Sequence, residues 1–402
     1  MMKEISIPKR IIMTPGPVEV DPRVLRAMSM PILGQYDPVF RGLMGEVSDL
    51  LKIPFETTNA YTFAIDGSSR SGLEAAMLGL IEEGDRVLIP AFGRFAYLWA
   101  ELAERVGADS RLIEKDWGET FEPEEVIAAI KEYKPKVLAM VHGETSTGQM
   151  QELKTIGRYC QENGVLFIVD AVATFGSTSV KVDEWGIDIA VGGTQKGLSV
   201  PAGMSLITYN ERVEKILTSR YQKELGLDPK VRNKRFIKSN YLDLSQLQRY
   251  WSNEGINHHT EATSMIYALY EGLRLVKEEG LMNRYERHAL NEKAMITGLK
   301  AMGLTIFGNP KSKLPTVTCV NVPEGVDEAA LRSTLLENFG VEIASSFGPL
   351  VGKAWRIGNM GYSSRKENVL LTLAALEASL LINGAKINKG EGILAAMSIY
   401  SK

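Results

Sequence analysis

From about residue 60, short apolar runs alternate with longer stretches whose apolar positions recur every three or four residues. Short continuous apolar runs are typical of strands buried on both faces of a parallel sheet. In the first longer stretch, Leu73, Met77 and Leu80 fall on one face of a helix. The alternation predicts a mostly parallel sheet covered by helices. The predicted strands are Tyr61–Ile65, Arg86–Pro90, Lys136–His142, Val165–Asp170, Ile187–Gly192 and Met204–Tyr209.

After about residue 283 the pattern changes to a smaller α+β arrangement. The predicted elements are a helix over Arg284–Met302, a strand over Pro315–Val322, a helix over Asp327–Phe339, short strands near Val341–Ala344 and Trp355–Gly358, and a last helix from about Ser364 to Leu381. The prolines and glycine of Thr14–Pro17 exclude a helix or a central strand there. We therefore expect an arm over residues 1–20, a large domain over 21–282 and a small domain over 283–402, with no structure assigned to residues 383–402.

Composition narrows the class of protein. Of 402 residues, 45% are apolar and 24% charged, as in an ordinary globular protein with a sizeable core. The net charge of -3 gives no support for binding to nucleic acid or to an anionic membrane. Two cysteines, Cys160 and Cys319, make no disulfide framework, and neither a signal peptide nor a membrane-length apolar run is visible. We expect a cytoplasmic protein, and the histidine spacing predicts no structural metal.

Polar segments follow several of the predicted strands at their carboxyl ends, where ligands bind in sheets of this kind. Asp66–Arg70 contains Gly67, Ser68 and Ser69 and joins a strand to a helix. Small residues that open a helix offer backbone N–H groups to a phosphate, although many such turns bind nothing. The loop His142–Gly148 follows another strand and carries hydroxyl groups.

Two charged residues complete this set. Asp170 ends a very apolar run, and a buried carboxylate requires a partner, either a helix terminus, an arginine or a ring nitrogen of a cofactor. Lys196 lies between small residues, where a desolvated lysine can form a Schiff base, although most lysines are merely exposed. A phosphate-binding turn, a carboxylate and a lysine on successive strand ends together predict a pyridoxal-phosphate site.

These motifs resemble those of class V, fold-type I aminotransferases, and within them the alanine/serine–glyoxylate branch. The resemblance covers nearly the whole chain, from Thr14–Pro17 to Arg356–Gly358. It implies an α/β fold with a mostly parallel sheet in a large domain and a smaller C-terminal α+β domain, pyridoxal 5'-phosphate as cofactor, and a homodimer with a shared active site. The motifs that carry it are Gly67-Ser68-Ser69 followed by Leu73-Glu74-Ala75, His142 to Gly148, Asp170-Ala171-Val172, Gln195-Lys196 and His258-His259-Thr260.

The resemblance also implies a role for individual residues. Lys196 forms the imine with the cofactor and moves the proton, while Asp170 pairs with the pyridine nitrogen. Arg356 binds the substrate carboxylate, for which a guanidinium is suited. The further cofactor contacts implied are Val172 beneath the ring, Phe95 on its other face, Thr145 near the phenolic oxygen, Ser68, Ser69, Arg70 and Gln195 at the phosphate, and Thr260 from a second subunit.

The substrate region departs from the alanine–glyoxylate pattern at two amides. Asn257 stands where those enzymes usually present tyrosine, and Gln35 where relatives tend to have a small residue; Gly16 belongs to the same predicted region. Amide groups match the donors and acceptor of a ureido group. The branch with this feature is the (S)-ureidoglycine–glyoxylate aminotransferases of purine (allantoin) breakdown, which implies oxalurate and glycine as products. The alternative is that both amides are tolerated in an alanine– or serine–glyoxylate enzyme.

Other classes of protein fit the sequence less well. A cysteine desulfurase requires an accessible thiol of low pKa, whereas Cys160 falls in a predicted helix and Cys319 in a predicted strand. A binding protein that had lost catalysis would be expected to lack Lys196, Asp170 or Arg356. A lyase or decarboxylase on the same scaffold is excluded only by the family resemblance.

Overall fold

The computed structural model describes residues 4–224, 232–252 and 254–401. Its strands are β1 (Ile11–Ile12), β2 (Tyr61–Asp66), β3 (Arg86–Ala91), β4 (Asp109–Glu114), β5 (Val137–Val141), β6 (Gly143–Glu144), β7 (Gln149–Met150), β8 (Leu166–Asp170), β9 (Ile189–Gly193), β10 (Met204–Tyr209), β11 (Val317–Asn321), β12 (Val341–Glu342), β13 (Ala344–Ser345) and β14 (Ala354–Gly358). Its helices are α1 (Pro22–Met28), α2 (Pro38–Phe55), α3 (Ser69–Leu80), α4 (Arg94–Arg105), α5 (Pro123–Tyr133), α6 (Lys154–Glu162), α7 (Glu211–Arg220), α8 (Leu244–Trp251), α9 (Thr263–Glu279), α10 (Leu281–Ala301), α11 (Glu328–Phe339), α12 (Lys366–Ile382) and α13 (Glu391–Tyr400).

The described residues form two compact units. The larger unit comprises Val20–Tyr285 and Gly308–Leu314. The smaller unit comprises the described parts of Met1–Glu19, Glu286–Phe307 and Pro315–Lys402. The predicted division into an arm and two domains stays a prediction; in the smaller unit, Ile11 and Ile12 pair with β12, and Met13 is fully buried in its core.

The larger unit contains a seven-stranded sheet in the order β2-β10-β9-β8-β5-β3-β4. The pairings with β10 are antiparallel and the others are parallel, so β10 runs against the rest. The carboxyl ends of β2, β3, β5, β8 and β9 therefore meet at one edge. Each predicted strand is present, with ends that differ by at most two residues, and the predicted α/β fold is confirmed.

Local capping explains where several helices begin. At α5, the Glu122 N–H donates to Oε2 of Glu125 at 2.8 Å, which completes a capping box at the start of this helix. At α11, Oδ1 of Asp327 accepts from the Ala330 N–H at 2.8 Å. In the described part of the chain, every helix is too short or too polar to span a bilayer.

The smaller unit has a three-stranded antiparallel sheet in the order β11-β14-β13, with Trp355 and Ile357 of β14 fully buried. The prediction that α12 is the last helix is wrong, because α13 follows it. Ala396 of α13 is fully buried, and the Tyr400 hydroxyl donates to Oδ1 of Asn291 at 2.7 Å. The small residues of this segment pack closely enough to stabilise a helix that the sequence pattern did not indicate.

Candidate active site

Lys196 lies in the turn after β9, and backbone contacts hold this turn in place. The backbone N–H of Ser199 donates to the Lys196 carbonyl oxygen at 3.0 Å. Glycine is required at position 197, because a Cβ there would come within 2.2 Å of the Phe175 carbonyl oxygen. Arg284, which sequence reasoning missed, donates through its guanidinium to the Gly197 carbonyl oxygen. The half-buried Lys196 side chain thus extends from a fixed backbone.

Asp170 is the last residue of β8 and is buried, with 6% of its surface exposed. The Val172 N–H donates to its Oδ1 at 2.9 Å. Burial raises the pKa of the Asp170 carboxyl to about 7, because a charge in a low-dielectric site is poorly solvated. The charge of Glu144 also raises this pKa, whereas the positive charge of Lys196 lowers it. Asp170 and Lys196 are therefore electrostatic neighbours, and a protonated ring nitrogen suits the carboxylate.

The predicted phosphate-binding turn joins β2 to α3. Ser68 is the residue before the helix, and its side chain makes no capping hydrogen bond. Ser69 is buried, while Ser68 and Arg70 are exposed. Gln195, the neighbour of Lys196, donates through Nε2 to Oγ of Ser69 at 3.1 Å. The turn therefore combines a helix N-terminus, hydroxyls, an amide and a guanidinium near the turn that carries Lys196.

A buried glutamate, whose role the sequence did not reveal, holds the start of α4. Oε2 of Glu144 accepts from the Phe95 N–H at 2.9 Å. Its Oε1 accepts from the N–H and the hydroxyl of Ser146 at 2.8 and 2.6 Å. The Ser146 Oγ in turn accepts from the Arg94 N–H at 3.1 Å. A Cβ at Gly93 would come within 2.3 Å of Cγ of Glu144, so this approach requires glycine. Glu144 thereby fixes the helix turn that carries Phe95.

Replacing Glu144 with glutamine is expected to loosen this helix start. The glutamine amide keeps one acceptor oxygen, but its NH₂ group faces N–H and O–H donors that the carboxylate accepted from. Each buried donor left without an acceptor costs about 1–3 kcal/mol of stability. We expect cofactor affinity to fall roughly 10-fold, which corresponds to about 1.4 kcal/mol and lies in the lower half of that range. Fluorescence titration with the cofactor would measure the affinity, and urea unfolding of the cofactor-free protein would measure the stability.

A matched control is available on α5. Glu132 is exposed and pairs with Arg111, so Glu132→Gln is expected to leave both measurements unchanged. Wild-type cofactor affinity and stability in Glu144→Gln would contradict the proposed role of the carboxylate.

The other predicted cofactor residues occupy different environments. Thr145 is buried in the loop between β6 and β7, with 2% of its surface exposed. Val172 is half-buried and follows Asp170 by two residues. Thr260 is exposed, beyond α8 and before α9. Their predicted contacts with the ring and the phosphate stay predictions.

The two amides singled out in the sequence are in direct contact. Nε2 of Gln35 donates to Oδ1 of Asn257 at 2.9 Å, although 222 residues separate them. Oε1 of Gln35 accepts from the Glu261 N–H at 3.1 Å, which orients the Gln35 amide. Gln35 is half-buried and Asn257 is exposed. The fold therefore makes them one polar unit, called the amide pair below.

The remaining predicted substrate residues lie in the smaller unit. Arg356 is central in β14 and 7% exposed, and its Nε donates to the Ser345 carbonyl oxygen at 2.7 Å. Its guanidinium carbon lies 4.2 Å from the centre of the Phe347 ring. These contacts hold the guanidinium in one orientation. Gly16 has a φ of 112°, which favours glycine.

The larger unit offers the donor set that pyridoxal 5'-phosphate requires. A dianionic phosphate fits the N-terminus of α3 with Ser69 and Gln195. A protonated pyridine nitrogen fits the buried carboxylate of Asp170, whose raised pKa shows that the chain itself compensates its charge incompletely. The amine of Lys196 fits a Schiff base with the cofactor aldehyde. Fold and site together define a fold-type I pyridoxal-phosphate enzyme.

Comparison with known proteins agrees with this class. The family model described as aminotransferase class-V matches residues 56–355, and the chain belongs to this family. An (S)-ureidoglycine–glyoxylate transaminase of Bacillus subtilis (strain 168) is 56% identical over 99% of this chain and 97% of its own length. An alanine–glyoxylate aminotransferase of Callithrix jacchus is 35% identical over 94% of this chain and 90% of its own length.

A solved structure gives the same picture. The crystal structure of the ureidoglycine–glyoxylate aminotransferase from Bacillus subtilis aligns with a TM-score of 0.95 at 56% identity, covering 100% of both chains. The predicted family and its cofactor, pyridoxal 5'-phosphate, are thereby confirmed, and the protein is an aminotransferase that uses an amino donor and a 2-oxo acid acceptor.

Neither cysteine suits a desulfurase. Both Cys160 and Cys319 are fully buried and lie outside any disulfide. Burial raises the pKa of the Cys160 thiol to about 12, so this group is neither accessible nor ionised near neutral pH.

Proposed function

We propose that this aminotransferase transfers the amino group of (S)-ureidoglycine to glyoxylate, giving oxalurate and glycine in purine breakdown. The Bacillus subtilis relative named for this donor and acceptor is 56% identical over nearly the full chain. The observation that carries the choice of donor is the 2.9 Å hydrogen bond between Gln35 and Asn257.

The geometry of the amide pair suits a ureido group. Oδ1 of Asn257 accepts from Gln35, so the exposed Nδ2 of Asn257 can donate to a ureido carbonyl oxygen. Alanine lacks a side-chain acceptor for this donor, and serine offers only a hydroxyl oxygen that lies closer to Cα than a ureido carbonyl oxygen does. A site that pairs with a polar substrate group discriminates strongly against analogues without it, because its own groups then stay unpaired.

The residues of the larger unit divide the chemical work. Bound pyridoxal phosphate supplies an electron sink conjugated to the substrate amino group. The Lys196 amine would anchor the cofactor and would hold and move the proton at the substrate Cα. The Asp170 carboxylate would keep a proton on the ring nitrogen. Ser69 and Gln195 would hold the phosphate, and Phe95 and Val172 would pack against the ring.

The carboxylate that donor and acceptor share requires a cationic partner. Arg356 is proposed for this role, since a planar guanidinium binds a carboxylate through two parallel hydrogen bonds. Its contacts with Ser345 and Phe347 orient the group before substrate arrives. Thr145 is proposed to bind the phenolic oxygen, and Gly16 to allow close approach of substrate to the backbone.

The active assembly is proposed to be a two-fold symmetric, cytoplasmic homodimer. The exposed Thr260 is then available to reach the cofactor phosphate of the partner subunit. The buried thiols of Cys160 and Cys319, which lie outside any disulfide, agree with a reducing compartment.

Replacing Asn257 with tyrosine is expected to impair the use of ureidoglycine selectively. The change removes the amide donor and the acceptor for Gln35. We expect kcat/KM for ureidoglycine to fall about 10²-fold or more, as when a built hydrogen bond to substrate is lost, while kcat/KM for alanine changes only a few-fold. Steady-state assays with each donor, and glyoxylate as acceptor, measure the ratio.

The exposed amide Gln161 on α6 provides the control. Gln161→Leu is expected to leave both donors unaffected. If the wild-type enzyme turns over alanine or serine faster than ureidoglycine, the proposed donor is wrong, and the alanine– or serine–glyoxylate alternative takes its place.

A further inference from the structure

Three potential metal ligands converge beside the phosphate-binding turn. Nε2 of His259 lies 3.4 Å from Oδ2 of Asp66 and 3.8 Å from Oε2 of Glu261. The ligand atoms of the three residues all lie within 4.8 Å of one another. Asp66 ends β2, whereas His259 and Glu261 precede α9. The spacing of the histidines along the sequence therefore does not reveal the cluster.

The two separations of the His259 nitrogen from the carboxyl oxygens are close to those of a tetrahedral zinc site. Zinc–nitrogen and zinc–oxygen bonds of 2.0–2.2 Å at tetrahedral angles place neighbouring ligand atoms about 3.3–3.6 Å apart. The 3.4 and 3.8 Å separations of the His259 nitrogen are close to that range. They are longer than good hydrogen bonds, and Nε2 of His259 and Oε2 of Glu261 are buried without a hydrogen-bond partner in the described structure.

A hydrogen-bond relay through the neighbouring histidine orients the ring of His259. Nε2 of His258 lies 3.0 Å from the Asn240 carbonyl oxygen, to which it donates. Nδ1 of His258 lies 2.9 Å from Nδ1 of His259, and one of these two nitrogens donates to the other. The relay turns Nε2 of His259 toward the carboxyl groups of Asp66 and Glu261.

The three ligand groups meet in a place with little solvent. Glu261 is only 5% exposed, and Oδ1 of Asp66 is, like Nε2 of His259, a buried atom without a hydrogen-bond partner in the described structure. Two carboxyl groups and an imidazole nitrogen that converge at a buried position form a donor set that suits a divalent cation.

We propose that Asp66, His259 and Glu261 bind one Zn²⁺ ion, with the fourth coordination position open to water. The relay through His258 to Asn240 is the outer hydrogen bond that orients a histidine ligand. The site is structural. It joins the turn that begins after Asp66 to the Glu261 backbone, whose N–H donates to Gln35 of the amide pair.

Zinc binding to the holoenzyme tests this proposal without reference to the amino donor. After chelator treatment and dialysis, titration calorimetry with ZnCl₂ is expected to give one site per chain, and elemental analysis one bound zinc. Thermal unfolding is expected to shift upward with zinc concentration, since the ion binds only the folded arrangement. Turnover is not the readout, so a wrong assignment of the donor leaves the result interpretable.

Two variants and one control separate this site from adventitious binding. Glu261→Gln and His259→Asn are each expected to weaken binding by at least about 100-fold, more than the loss of an outer hydrogen-bond partner would produce. Glu254→Gln, which removes an exposed carboxylate paired with Arg249, is expected to bind as the wild type does.

Three outcomes would overturn the proposal. One is the absence of a zinc-dependent heat and of a thermal shift in the wild-type holoenzyme, which would leave Asp66 and Glu261 sharing a proton. Another is wild-type affinity in both ligand variants, which would place the ion elsewhere. The third is an equal loss of affinity in Glu254→Gln. The two ligand variants make the test robust, because a folding defect in one leaves the other informative.

Discussion

Replacing Lys196 with alanine is expected to lower turnover by at least about 10³-fold. A loss of this size is within the range for removing a residue that transfers protons. The expected loss has two parts, because the proposed roles of this amine are to attach the cofactor and to move the proton at the substrate Cα. The backbone turn is expected to survive, since Gly197 and Arg284 hold it through main-chain contacts. Steady-state turnover, and mass spectrometry of the borohydride-reduced protein, measure the two parts separately.

Chemical rescue distinguishes a lost amine from a damaged fold. A small primary amine added to Lys196→Ala is expected to restore part of the proton-transfer rate, while the cofactor stays absent from the peptide that contains position 196. Lys277→Ala, at an exposed position of α9, serves as the control and is expected to retain full activity. A Lys196→Ala enzyme with more than a tenth of wild-type turnover would contradict the assignment.

The sequence predicted six of the seven strands of the large sheet, because these six are largely buried on both faces and their apolar runs are nearly continuous. It missed the edge strand β4, whose residues are exposed or half-buried. Polar residues that follow several of the runs mark carboxyl ends. Asp170 and Lys196 were therefore predictable as neighbours on adjacent strands β8 and β9. The cap formed by Glu144 was not, since its partners lie on α4 and no periodicity links a loop carboxylate to a distant N–H.

Contacts between segments that are distant in the chain limited the prediction of the site. Gln35 and Asn257 were each recognised as unusual, but only the fold shows that they bind one another. Arg284 supports the Lys196 turn from 87 residues away and carries no sequence signal of that role. Helix α13 was missed for a different reason, because its small residues gain stability from close packing rather than from an amphipathic pattern.

Replacing Asp170 with asparagine is expected to affect activity and stability in opposite directions. Turnover falls on the order of 10²-fold, since a charge-assisted hydrogen bond to the ring nitrogen is worth about 1.5–3 kcal/mol and asparagine cannot hold the proton there. Without cofactor, by contrast, the Asp170→Asn variant is expected to be more stable than the wild type at high pH. Burial raises the pKa of the Asp170 carboxyl to about 7 from a reference value of 3.8, so ionisation of this group opposes folding.

The difference in stability between the cofactor-free wild type and Asp170→Asn is expected to depend on pH. Below pH 3.8 the carboxyl is neutral in both states, and Asp170→Asn has little effect through charge. Between about pH 4 and pH 7 the unfolded state is ionised while the folded state keeps its proton, so the wild-type protein loses stability as pH rises across this window, and the loss levels off above about pH 7. Thermal unfolding of both cofactor-free proteins at pH 5 and pH 8 is expected to show a difference that grows with pH. With cofactor bound, the wild type is expected to be the more stable of the two proteins, because the ring nitrogen compensates the carboxylate. A cofactor-free Asp170→Asn variant that is less stable than the cofactor-free wild type at pH 8 would refute this account of Asp170.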